Sequence, residues 1–270
     1  MGKIKIGIIG GTGLDANVDI IKEPDKIDVP ATPYGNPSDS QVTVGKIHGI
    51  DIVIMSRHGK NHDVNPSKVN YRANIWTFKQ LGCTHVLATT ACGSLQQHVK
   101  PLSFAIPDQY IDRTHGREST LYKVIHIPQA EPFDRTMQGM IEKACKINNF
   151  ECTPKATVVI CEGPRYSTVA ESNLFRSWNC DVVNMTACPE VSLASEAGLI
   201  YASIAMVTDY DCWNQDETSV SVAEVDKMMA KIKSKIQVLL PEVIRLMGEH
   251  DWSDAIKRKN TEAKEAIMTP

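Results

Sequence analysis

No apolar stretch in the 270 residues reaches the roughly 18 that a membrane-spanning helix requires, so no helical anchor is expected. The first apolar segment, residues 4–9, is too short and too soon ended by glycines to act as a signal peptide, and a cytoplasmic protein is expected. The eight cysteines never form a C-x-x-C pair and mostly sit inside apolar runs, which points to reduced, buried thiols rather than a disulfide framework. Lysine and arginine form no run before the last twenty residues. With 29 basic against 32 acidic side chains and a net charge of −3, the footprint of a nucleic-acid binder is missing. The late basic stretch at Lys257, Arg258 and Lys259 alternates with acids and reads as a solvated helix face. There is no G-x-S-x-G elbow of a serine hydrolase, no H-E-x-x-H metal motif, no internal repeat and no linker.

What is present is a globular composition, 42% apolar and 23% charged, long enough to bury a sizeable core in a single domain spanning residues 1–270. Short β-branched runs at 4–9, 42–47, 50–56, 85–90, 157–161, 181–185 and 202–208 alternate with helical patterns at 66–81, 134–148, 168–178, 189–197 and 221–248. Several runs are apolar throughout, as strands covered on both faces are. This alternation predicts an α/β fold with a mixed central β-sheet flanked by helices. The runs 42–47 and 50–56, joined at His48-Gly49, read as an antiparallel hairpin within that sheet. Pro24, Pro30, Pro33 and Pro37 mark an irregular stretch, read as a long surface loop.

Five clusters carry chemistry. Gly10-Gly11-Thr12-Gly13 directly follows the first run, and small residues there let backbone N–H groups and the Thr12 hydroxyl converge on an anion. Residues 11–16 also satisfy the G-x-G-x-x-A form of a dinucleotide fingerprint. Pro24, Pro30 and Pro33 break the region where that fold needs an uninterrupted helix and a second strand, so a nicotinamide dehydrogenase is the weaker reading. Arg57-His58 closes the 50–56 run, setting a planar two-pronged cation beside an imidazole, a pair that suits a phosphate oxyanion. His58 and His62 have an i, i+4 spacing, but Gly59 and Asn61 disfavour a helix there and no metal site is expected. Thr90-Ala91-Cys92-Gly93-Ser94 ends another run with small residues that permit close backbone approach. Cys92 has neither a C-x-x-C partner nor an adjacent histidine, which argues against a covalent thiol mechanism. Asn184-Met185-Thr186 and Thr208-Asp209-Tyr210-Asp211 finish two further runs. Asp209 and Asp211, held close and partly dry, resist ionising together, so one is expected to keep its proton near neutrality. All of these clusters fall where strands end, which in open α/β sheets is where ligands bind.

Taken together, residues 7–14, Arg57-His58-Gly59, residues 66–76, Thr90 to Ser94, Glu162-Gly163-Pro164-Arg165, Asn184-Met185-Thr186 and residues 208–213 resemble the methylthioadenosine phosphorylases, over nearly the entire chain. The resemblance implies the purine nucleoside phosphorylase fold, a homotrimer, and phosphorolysis of S-methyl-5′-thioadenosine in methionine and purine salvage, with a broader adenosine phosphorylase as the alternative. It also implies that phosphate is held by Thr12, Arg57, His58, Thr90, Ala91 and Thr186. Met185 would underlie the ribose with Tyr166 flanking it, and Ser167 would sit near the base. Asp209 and Asp211 would act on the purine as the catalytic pair, with Tyr210 between them in the substrate site. Val222 and His126 are similar to positions lining the 5′ pocket, the histidine coming from a neighbouring subunit. No cofactor is implied; inorganic phosphate is the co-substrate.

The residue types suit the chemistry. Cleaving an N-glycosidic bond builds positive charge on the sugar and negative charge on the departing base, so a proton donor at N7 and an anion at C1′ both lower the barrier. Three departures from the family stand out. Tyr166 replaces a usual phenylalanine, Asp226 falls where an apolar residue is usual on the 5′ pocket, and the connection from 113 to 126 is short. A helix rotated so that Asp226 reaches water is the expected resolution of the second. Met268, near the C-terminus, is similar to an apolar position of the 5′ pocket.

Overall fold

The computed structural model describes residues 4–10, 20–214 and 221–269. Its centre is β1 (Lys5–Gly10), whose fully buried Ile6 and Ile8 face one apolar layer while Ile9 faces the other. That two-sided burial is why the run is apolar throughout. β1 pairs in parallel with β4 (Ile50–Ser56) on one side and β5 (His85–Ser94) on the other. The expected hairpin of β3 (Gln41–Ile47) with β4 is present, and β2 (Lys22–Asp28) extends it antiparallel at the sheet's edge. β2 lies inside the stretch read as a surface loop. It is almost wholly exposed and contains Pro24, which an edge strand tolerates because one row of its N–H groups faces solvent.

On the far side the sheet closes on itself. β10 (Ile200–Asp209) pairs in parallel with β5 and antiparallel with β6 (Phe104–Arg113). β6 continues to β8 (Cys152–Cys161), β8 to β9 (Val182–Asn184), and β9 returns antiparallel to β5. The nine-strand order β10-β6-β8-β9-β5-β1-β4-β3-β2, with β10 also bonded to β5, therefore contains a five-stranded ring.

Helices cover both faces. α1 (Tyr71–Gln80) and α4 (Ala187–Glu196) contribute to one apolar layer, and α2 (Arg135–Ile147) and α5 (Val222–Gly248) to the other. Side-chain caps set the starts of α2 and α3: Asp134 accepts from the Met137 N–H, and Thr168 forms a reciprocal capping box with Glu171 at α3 (Val169–Ser177). The basic stretch at 257–259 lies on α6 (Ser253–Glu265), a largely exposed helix, as its charge pattern suggested. Beyond it, β11 (Ile267–Thr269) pairs antiparallel with β7 (Val124–Ile125), forming a small separate ribbon.

Candidate active site

Four chain segments converge on one cleft. The ends of β4, β9 and β10 and the second half of β5 bring together Arg57, His58, Thr90, Ala91, Met185, Thr186, Asp209 and Asp211, joined by Tyr166 and Ser167 from the loop before α3. β5 runs on past the expected boundary to Ser94, so Thr90 and Ala91 present themselves from a strand and not from a loop.

Arg57 is almost inaccessible, yet charged. Its Nε and Nη2 donate to the two Glu190 carboxylate oxygens at 2.6 and 2.8 Å, and Nη1 donates to the Thr89 carbonyl at 2.9 Å. The Tyr201 hydroxyl donates to the same Glu190 at 2.8 Å. Burial opposes the guanidinium charge, and the Glu190 carboxylate more than offsets that opposition. Next to it, the His58 ring donates from Nδ1 to the Val64 carbonyl at 2.8 Å, since a carbonyl can only accept. Burial, reinforced by the Arg57 charge, lowers its pKa to about 4, so the ring is neutral at pH 7. His62 packs against it with ring centroids 4.6 Å apart. The Thr90 and Thr186 hydroxyls lie 3.4 Å from each other, with the Asn184 amide 3.4 Å from Thr90.

The two aspartates form a second group. Asp209 accepts from the Thr208 hydroxyl at 2.6 Å and from the Asp211 N–H at 2.8 Å. Burial still raises its pKa above the ordinary carboxyl value. Asp211 adopts a positive φ of 48° in a short 3-10 turn, a conformation that aspartate tolerates better than most residues. Its carboxyl is also pushed up by burial. Asp211 Oδ2 and the hydroxyls of Ser167 and Ser172 are buried without a hydrogen-bond partner among the described residues. A buried acceptor of this kind is costly unless something donates to it. Gly93 makes room for the pair, because a Cβ there would stand 3.0 Å from Asp209 Oδ1 and 3.2 Å from Asp211 Cβ. Gly163, at φ +68°, does the same beneath Met185, whose sulfur would meet an added Cβ at 2.6 Å.

Some expected positions lie elsewhere. Thr12 falls outside the described residues. Tyr210 does not line the cleft: between two inward aspartates its side chain turns away and packs on Trp213 with ring centroids 5.8 Å apart. Val222 is also outside, 66% exposed at the first turn of α5, and Val225 forms that wall instead. The helix is thus turned so that Asp226 is exposed, the resolution expected from its solvent face. His126 is exposed and absent from its own chain's cleft, and Met268 lies 69% exposed on β11 beside it.

Residues that sequence reading missed do supporting work. Glu190 is one, its signal being an acid flanked by Ala187, Cys188, Pro189 and Val191, all buried. Arg117 is another. From the short 113–126 connection it donates to the Met185 and Cys188 carbonyls at 2.8 and 2.7 Å and pairs with Glu162 at 3.1 Å, pinning the turn that carries Met185 and Thr186.

The comparisons with known proteins agree with this geometry. Residues 5–245 match the phosphorylase superfamily. S-methyl-5′-thioadenosine phosphorylases of Anopheles gambiae and Ciona intestinalis are 48% and 45% identical, over 99% and 98% of this chain and 98% and 96% of theirs. A structure of methylthioadenosine phosphorylase from Schistosoma mansoni in complex with adenine superimposes with a TM-score of 0.94 at 38% identity, covering 98% of this chain and 99% of that one. The chain belongs to the phosphorylase superfamily and, within it, to the S-methyl-5′-thioadenosine phosphorylases.

Proposed function

We propose that this chain is a pentosyltransferase that splits S-methyl-5′-thioadenosine with inorganic phosphate, releasing adenine and 5-methylthioribose 1-phosphate. The observation that carries the reading is the meeting of Arg57 and Asp209 in one cleft, with Met185 and Tyr166 also lining it. Such a site can hold a phosphate anion at one end of a nucleoside and the nucleoside's base at the other. Relatives bearing the corresponding name, and a Schistosoma mansoni relative solved with methylthioadenosine, support the substrate class.

In the proposed mechanism Arg57, His58, Thr90, Ala91, Thr186 and Thr12 hold phosphate below the anomeric carbon. As a phosphate oxygen bonds to C1′, the C1′–N9 bond breaks and its electron pair leaves on the base. Asp209 donates its proton to N7 and so neutralises that charge. Asp211 serves as the carboxylate of the pair, its buried Oδ2 having no hydrogen-bond donor among the described residues. It accepts from the 6-amino group, which fills its unpartnered Oδ2. A 6-oxo base would offer an acceptor there and be disfavoured. Positioning and the phosphate's own charge supply the remaining acceleration, and no metal or nucleotide cofactor takes part.

The working unit is proposed to be a single-domain chain assembled as a cytoplasmic homotrimer. The exposed ribbon carrying His126 supports a neighbour's use of that histidine at the 5′ end of the substrate, and no helix among the described residues is long and apolar enough to cross a membrane. Incubation with S-methyl-5′-thioadenosine, adenosine and inosine, with and without phosphate, tests the activity: adenine is released from the first substrate only when phosphate is present. Release without phosphate, or hypoxanthine from inosine at a comparable rate, overturns it.

A further inference from the structure

Asp211 stands where the sheet no longer holds the chain. The last pairing of β10 with β5 is Asp209 with Gly93, beyond a shift in register that follows Val207. The next residues leave the ladder, and Asp211 takes up its φ of 48° with its N–H turned back onto Asp209 Oδ1 at 2.8 Å. Even for aspartate, that conformation persists only where neighbouring contacts hold it.

Two residues on, Trp213 supplies such a contact. Its indole Nε1 donates to the Ser94 carbonyl at 2.8 Å, one residue beyond the Gly93 that makes room for Asp211. The ring is itself held. The Arg176 guanidinium, from the last turn of α3, lies 3.9 Å from the ring centroid and donates from Nε to the Leu95 carbonyl at 3.0 Å. The Tyr210 ring packs nearly perpendicular to the indole, which is partly buried against Leu95, Val159, Phe175 and Val183. Within the same turn the Cys212 thiol donates to the Ser167 carbonyl at 3.3 Å, fastening it to the loop before α3. Trp213 does not line the cleft, so it acts on Asp211 and not on a ligand.

We propose that Trp213 is a positioning residue for base selectivity: by tying the turn to Ser94 it fixes the Asp211 carboxylate at the 6-position of the purine, so that a 6-amino base is accepted and a 6-oxo base refused. The inference rests on the reading that Asp211 faces the 6-amino group. A carboxylate tells a donor from an acceptor only while it is unable to swing aside, and a turn released from Ser94 lets it retreat from a 6-oxo group. Losing one buried hydrogen bond of the anchor corresponds to about tenfold in that preference. Asp209 is held separately, by the Thr208 hydroxyl at 2.6 Å and by its place at the end of the ladder, and Arg57 is held by Glu190. Phosphate binding is therefore expected to survive the loss of the anchor.

Trp213→Phe keeps an aromatic ring against Arg176 and Tyr210 and removes the N–H. Calorimetric titration of the full chain with adenine and with hypoxanthine, in the presence of phosphate, measures the preference without catalysis. The parent is expected to bind adenine more tightly. In Trp213→Phe the ratio of dissociation constants narrows by about tenfold, while the affinity for phosphate alone stays within about twofold. The ratio of kcat/KM for S-methyl-5′-thioadenosine and S-methyl-5′-thioinosine, which differ only in the base, moves in parallel. A preference narrowed by less than about threefold overturns the proposal, and so does a loss of phosphate affinity as large as the loss for adenine, which marks a general loosening. Should Trp213→Phe not fold, Arg176→Gln decides, because it removes the cation over the ring: a preference narrowed by about threefold or more supports the proposal, and a smaller change overturns it. Preferential adenine binding without adenine release from the nucleoside sinks the activity reading alone; adenine release with an unaltered preference in Trp213→Phe sinks this one alone.

Discussion

Replacing Glu190 by glutamine keeps the shape of the side chain and removes its charge, leaving the guanidinium of Arg57 in an interior where neither partner is solvent-accessible. Both hydrogen bonds of the pair are short, at 2.6 and 2.8 Å, and side-chain exposures are 2% for Arg57 and none for Glu190. Removing one member of such a buried pair costs about 3–5 kcal/mol, most of it the penalty of the charge left behind. Each kcal/mol lowers the melting temperature of a chain somewhat smaller than this one by about 2–4 °C, so a fall on the order of 10 °C is expected. Tyr201→Phe removes only the hydroxyl that donates to Glu190 and is expected to cost about 1.5–3 kcal/mol. The two are not additive: with glutamine at 190 the tyrosine no longer serves a carboxylate, so the double variant loses less than the sum. Urea unfolding of the four proteins measures this, with rates of thermal inactivation substituting where unfolding is irreversible. The KM for phosphate should rise in both single variants as the guanidinium loses its fixed orientation. A Glu190→Gln variant within about 1 kcal/mol of the parent, with an unaltered KM for phosphate, would refute the claim that this pair fixes Arg57.

Further outcomes follow from the same structure. Asp209→Asn should slow adenine release by about 10²–10⁴-fold while phosphate still binds calorimetrically; unchanged turnover removes Asp209 from the acid role. Because burial raises the pKa of Asp209, and its protonated form is the donor, turnover should decline as pH rises through that raised value, and Asp209→Asn should lose this limb of the profile. His85 is buried between Thr84 and Trp252, near His250, and burial lowers its pKa to about 3. A depressed histidine stabilises the fold above its unfolded pKa near 6.5 and loses that contribution as pH falls toward 3, so His85→Phe should flatten the acid limb of stability by about 1.4 kcal/mol per pH unit in that window. Asp226→Leu should change the ratio of kcat/KM for S-methyl-5′-thioadenosine and adenosine by less than about threefold, because the carboxylate is exposed and Val225 forms the wall; a larger shift places Asp226 at the substrate.

Local signals were legible where burial and capping agree. β1 reads as an apolar run because both its faces are covered, and α3 begins where Thr168 and Glu171 form their box. β2 was hidden by Pro24 and by its exposure, since an edge strand with little to bury leaves no apolar period. β6 was hidden differently, by Pro107 and alternating polar residues toward its end. The ring made by β10 bonding both β5 and β6 depends on pairings about a hundred residues apart, which no local pattern encodes. At the site, the aspartates and Arg57 were found from residue type and position. Glu190 and Arg117 were not, because their role is to hold other groups and becomes visible only once Arg57 and the Met185 carbonyl have places.

The closed ring has a mechanical consequence. β10 is paired with β5 along its length and also with β6 at Ala205 and Met206, so the backbone amides there reach solvent only if the ring itself comes apart. Tyr166 sits instead on a loop, and Val225 on the first turns of a helix. The molecule thus mounts its proton donor on a strand tied into a closed sheet and its sugar-side wall on a loop and a helix outside that ring, an arrangement in which substitutions can retune the pocket's far end without disturbing the chemistry.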